Sequence, residues 1–159
     1  EPGDVPLGLR LAWARRVLAS VPEAGPWAAG AVALLLARET TEAGSLHRAS
    51  RLAAPALGGR GPREGALTIA SLRAELPQSS SWSLAGVEEP EDLWRAEAAW
   101  WRAVGADAHA LVRGPLGSRG VLVGVIALLG LDAARIIAAL NVAALDGAPQ
   151  AREALDALL

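Results

Sequence analysis

The sequence contains no cysteine, methionine, tyrosine or phenylalanine, and all 15 of its basic residues are arginine. Without cysteine there can be no disulfide, no thiolate metal ligand and no thiol nucleophile, and an intracellular address is permitted. Histidine is nearly absent too: His47 and His109 are the only two, in no spacing that makes a zinc or catalytic motif. Both read as surface side chains. No GxxxxGK[ST] run occurs, and no GxGxxG follows a strand, so the glycine-rich stretch 58–61 reads as a plain connection. The serines at 79–81 lack a nucleophile-elbow context and a candidate base. A charge excess is also missing. With 17 acidic residues against 15 basic ones, the net charge is −2, which gives no electrostatic pull toward nucleic acid or an anionic membrane. The exclusive use of arginine, alongside abundant alanine and glycine, reads as coding bias. The lack of methionine and the start at Glu1 are those expected of a processed chain or a fragment.

What is present is aliphatic. Hydrophobic residues make up 52% of 159, enough to bury a sizeable interior in one domain or two small halves. The chain is organised around residues 120–145, GVLVGVIALLGLDAARIIAALNVAAL, whose only charges are Asp132 and Arg135. Apolar residues fall on every side of its helical projection, which predicts a helix covered all round. A membrane span is disfavoured: 121–131 is too short, and extension to 145 puts two charges mid-bilayer at about 3 kcal/mol each. No signal peptide is evident, because Arg10, Arg15 and Arg16 interrupt the early apolar stretch.

Periodicity and breakers predict an all-α protein, a compact bundle of about seven helices forming a single domain over 1–159. A helix over 7–20 carries Leu7, Leu11, Ala14 and Leu18 on one stripe, with Arg15 and Arg16 facing away. A second, from about Pro26 to Glu42, has no polar face in its middle. Short helices are expected over 46–54, with Ser45 as a cap, and over 68–76 with Thr68 or Ser71. The run 77–83, PQSSSWS, reads as a loop and as the seam between two halves, 1–78 and 84–159. Glu88 to Asp92 is a strong helix start. The helix that follows, to about Arg113, sets Trp94, Ala98, Trp101, Gly105, Ala108 and Val112 on one line and Leu93, Trp100, Val104 and Leu111 on another. Arg95, Arg102, His109 and Arg113 fall opposite. With no basic groove beside them, the six tryptophans read as core rather than as base-stacking platforms. Gly147 and Pro149 punctuate before a last helix over 150–159.

An internal echo links Gly30-AVALL-Leu36 with Gly124-VIALL-Gly130, each followed by charges. The two central helices are expected to lie together, with Arg38, Glu39, Glu97, Asp132 and Arg135 forming a structural ion-pair network. Asp132 and Arg135, spaced i, i+3, can pair within their own helix. An acid–base site built from Glu97, Asp132 and Arg135 is the alternative use of the same groups.

The apolar run entering a charged helical turn, then Arg135-Ile136-Ile137, a glycine-containing turn and a final amphipathic helix, resembles the C-terminal segment of the C/d family of rotary V/A-type ATPases, the central-stalk docking subunits. Residues 127–137 lie on the family pattern, with Gly130 and Ala133 where the family has an acidic residue and asparagine. The chain has about half the family's usual length, as a C-terminal portion or divergent relative would. The resemblance implies related all-helical subdomains and a non-enzymatic role. It also implies docking the central stalk onto the membrane rotor ring at the cytoplasmic face, with those proteins as partners. No cofactor, metal, small-molecule substrate or nucleic acid is implied. A helical adaptor of unrelated ancestry is the other reading.

Overall fold

The computed structural model describes residues 4–39, 49–51, 53–57 and 68–159. His47, the Ser45 cap, the expected end of the second helix at 40–42 and the connection at 58–62 lie outside the described residues; of the helix expected over 46–54, residues 49–51 and 53 are α-helical and Ala54 opens a 3-10 turn, Ala54–Leu57. The protein is all-α, with no strand among the described residues. Two compact units divide the chain between Ala96 and Glu97.

In the first unit, α1 (Asp4–Ser20) and α2 (Gly25–Glu39) are joined by a 3-10 turn at Pro22–Ala24. Leu11 and Ala14 of α1 are buried while Arg15 and Arg16 are exposed, so the stripe read from the sequence faces inward. α2 is clothed on most of its circumference: Trp27, Ala28, Val32, Ala33, Leu36 and Ala37 are all buried. Its cover comes from α1, from the one-turn helix α4 (Gln78–Ser81), and from the 3-10 turn Trp82–Leu84. Fully burying side chains such as Val32 and Leu36 stabilises the unit by about 1.5–3 kcal/mol each. α3 (Ile69–Glu75) starts from a reciprocal capping box. The Thr68 hydroxyl accepts from the Ser71 backbone N–H at 3.1 Å, and the Ser71 hydroxyl oxygen accepts from that of Thr68 at 3.1 Å.

The run 77–83 is therefore helical rather than a loop, and its serines explain why. The Ser80 hydroxyl donates to the Pro77 carbonyl at 3.0 Å, and that of Ser83 donates to the Gly30 and Ser80 carbonyls at 2.9 and 3.0 Å. Both are buried with their hydrogen bonds made, which lets a polar stretch sit against α2. The division between units falls not at this run but near the start of α5 (Leu93–Val112).

The second unit takes most of α5, then α6 (Arg119–Ala144) and α7 (Pro149–Asp156). The two apolar lines of α5 both turn inward: Leu93, Ala98, Val104, Gly105 and Ala108 are buried, and Arg95, Arg102, His109 and Arg113 are exposed. α6 approaches α5 closely through glycine. A Cβ at Gly124 would stand 2.8 Å from the Ala108 carbonyl oxygen, and one at Gly105 would stand 2.9 Å from Leu131 Cδ2. Ser118 caps α6, accepting from the Val121 backbone N–H at 3.4 Å. At its far end the Gly147 N–H donates to the Val142 carbonyl at 2.7 Å and that of Asp146 to Ala143 at 3.4 Å, closing a Schellman motif. Asp146 occupies the left-handed position of that motif, at φ 48°.

Candidate interaction surface

The charged residues singled out in the sequence are divided between the units. Arg38 is exposed and Glu39 half-buried in the last turn of α2; Glu97 is half-buried in the first turns of α5, and none of the three lacks a partner. Asp132 and Arg135 are brought together as their spacing predicts, with Arg135 Nη1 3.4 Å from Asp132 Oδ1. They do not form a buried pair: the side chains are 65% and 35% exposed respectively. Arg135 also donates through Nε to the Leu158 carbonyl at 2.9 Å, just past the end of α7. A guanidinium there meets carbonyls at the negative end of the helix dipole. The Arg135–Leu158 bond clips α7 to α6, while the Asp132–Arg135 pair lies within α6 and is worth at most about 1 kcal/mol as an exposed ion pair. The expectation of an enclosed network is corrected on this point, because α6 is not enclosed at Asp132.

The tryptophans divide as well. Trp27 is core, at 6% exposure, but Trp13 is 58% exposed on α1 and the other four are half-buried. Trp100 and Trp101 meet edge to face, centroids 4.7 Å apart, and the Arg95 guanidinium lies 4.9 Å from the Trp94 ring. Among the described residues no group of three histidine, aspartate or glutamate side chains is placed to hold a metal.

The dominant surface feature is α6 itself. Of its most apolar 18-residue window, 11% is buried, which overturns the expectation of a helix covered all round. One face, marked by Gly124 and Leu131 and the half-buried Leu128, Arg135 and Val142, turns toward its neighbours in the unit. The opposite face carries Leu122, Val125, Ile126, Leu129, Ile136, Ile137 and Leu140, between 42% and 69% exposed. Seven large apolar side chains exposed along one face of one helix make the kind of contiguous strip that marks an interaction surface. By length and composition α6 could also cross a membrane, although Asp132 and Arg135 would sit near the middle of such a span. The bare face has a regular spacing in the sequence, although the inner face at Gly124, Leu128, Leu131, Arg135, Ala138 and Val142 has the same one. Leu122, Ile126, Leu129, Ala133, Ile136 and Leu140 follow one another at intervals of four and three, the repeat of a helix-pairing seam.

No protein-family model matches the chain, and neither does any curated protein or solved structure.

Proposed function

We propose that the chain is a non-enzymatic structural subunit of a rotary V/A-type ATPase, resembling the component that docks the central stalk onto the membrane rotor ring and so couples rotation to proton or sodium transport. It works at the cytoplasmic side, peripheral to the membrane. The observation that carries the reading is the order of elements around residues 127–137. The residues on which the resemblance rests occupy the middle of one unbroken helix, α6, and are followed by the Asp146-Gly147 turn and the short α7. Arg135, the charged residue of the matched Arg-Ile-Ile, fastens that last helix by its bond to Leu158. Gly130, where the family has an acidic residue, faces an aromatic ring here: a Cβ would lie 3.6 Å from Trp101. An apolar helix left bare on one side supports a life in an assembly, since such a face is stabilised only when something covers it.

The test is reconstitution. The purified chain, mixed with a detergent-solubilised rotor ring and with isolated central-stalk proteins, is expected to co-migrate with either on size exclusion. Failure to bind both when both are supplied removes the reading. The bare face of α6 equally suits a helical adaptor outside any rotary machine, and that second reading gains if the chain binds a helical partner but neither ring nor stalk.

A further inference from the structure

We infer that the outer face of α1 lies on an anionic lipid surface, with Trp13 seated among the headgroups and Arg10 and Arg16 on the phosphates to either side. This goes beyond the docking reading and stands on α1 alone. Leu11 and Ala14 turn the inner side of the helix toward α2 and are buried, which leaves Leu9, Ala12, Trp13 and Arg16 outward and exposed. Leu9 and Trp13, one helical turn apart, make an apolar ridge at 67% and 58% exposure. Trp13 is the one tryptophan that the fold leaves mostly bare. An indole has an apolar body to bury and an N–H that suits a wet boundary, which is why it favours the membrane–water interface. Arg10 and Arg16 stand three residues before and after it, about 60° round the helix on opposite sides. The ridge is therefore flanked by one guanidinium on each side.

Charge selects the occupant. The chain's net charge of −2 conceals an uneven distribution. α1 holds Arg10, Arg15 and Arg16 against a single acid, Asp4, and so carries +2, which leaves −4 for the rest. The attraction is thus to an anionic surface and is local to this helix. Shape narrows it further. An apolar ridge between two positive charges is convex, so a groove lined by acids would have to straddle it. A planar layer of phosphates meets both flanks at once and lets the ridge sink between them. The long stems of the arginines keep their heads at phosphate depth while the indole goes deeper. A nucleic acid strand is held instead in a basic groove lined by stacking aromatics, which the outer face of one helix does not offer.

Flotation of the purified chain with vesicles of phosphatidylcholine containing about 30% phosphatidylserine is the test. The chain is expected to rise with them, to stay behind with phosphatidylcholine alone, and to be released as salt is raised to about 1 M. Arg10→Gln and Arg16→Gln should each weaken binding about fivefold, and Trp13→Ala about tenfold. Arg15→Gln is the control. It removes the same charge from the same helix, about 160° round from Trp13, and should change binding less than about twofold. All four positions are exposed, so folding should be unaffected, and thermal melts check this. Should Trp13→Ala melt early, brominated phosphatidylcholine in the same mixed vesicles gives a second readout: it should quench wild-type tryptophan fluorescence, and Trp13→Phe should abolish that quenching. The inference is overturned if the chain ignores anionic vesicles, if it binds neutral ones equally, as insertion of α6 would, or if Arg15→Gln costs as much as Arg16→Gln. Equal affinity for polyglutamate or for a single-stranded oligonucleotide would give the face to polyanions in general and also overturn it. Vesicle binding intact with ring and stalk binding lost would sink only the docking reading, and the reverse would sink only this one.

Discussion

α2 and α6 share a seven-residue echo in sequence and are opposites in circumstance. Gly30 to Leu36 and Gly124 to Gly130 share Gly, Ala and paired Leu, yet Val32, Ala33 and Leu36 are wholly buried while Leu122, Ile126 and Leu129 stand mostly exposed. The difference lies in what the chain supplies around each. α2 has α1 before it and α4 with its following 3-10 turn after it, close enough to wrap it. α6 has α5 on one side, drawn close by Gly105 and Gly124, and a clip to α7 on the same side. Hydrophobic composition therefore says that a helix wants cover, not where the cover comes from.

The sharpest way to break the comparison is to trim one leucine in each helix. Leu36→Ala, at a fully buried site, is expected to destabilise the first unit by about 2–5 kcal/mol. Leu129→Ala should change the stability of the dilute chain by about 0.5 kcal/mol or less, as surface substitutions do. Urea titrations of the two variants followed by circular dichroism check this, and equal losses would end the distinction. Next in size is Gly124→Ala. Its Cβ would collide with a backbone oxygen, which cannot swing aside, so the α5–α6 contact must open at about 1–3 kcal/mol. Thermal melts are the readout, and the loss should appear in the second unit alone.

Ser83→Ala probes the cover of α2 rather than α2 itself. It removes the donor to the Gly30 and Ser80 carbonyls and should cost about 1 kcal/mol, with faster amide exchange in the Trp82–Leu84 turn. Smallest, and opposite in sign, is Asp146→Gly. Relieving a left-handed non-glycine residue at the end of α6 is expected to raise stability by about 0.5–1 kcal/mol. A scanning calorimetry trace that moved down instead would show that the Asp146 side chain does something the turn geometry does not require.

Where polar and apolar residues alternated with helical period, the structure was legible in advance. The two apolar lines of α5 and its exposed arginines are the clearest case, and the Asp132–Arg135 pair follows from i, i+3 spacing alone. Two other features were not. The run 77–83 reads as loop because it is rich in serine, but three of its hydrogen bonds are made by buried serine hydroxyls, and such bonds leave no periodic trace in a sequence. The bare side of α6 was hidden because its outer residues are as aliphatic as its inner ones. The four–three spacing did not separate them either, because Gly124, Leu128, Leu131, Arg135, Ala138 and Val142 on the inner side repeat it.

The absence of cysteine makes the central contrast directly measurable, since any cysteine introduced is the only thiol. Maleimide labelling of Ile126→Cys and of Ala33→Cys, each in dilute solution under native conditions, compares the outer face of α6 with the interior of α2. The Ile126→Cys thiol should react at nearly the rate of a free thiol, while the Ala33→Cys thiol stays protected. Equal protection of both thiols would mean that α6 is already covered within its own chain, and would contradict the contrast between the two helices.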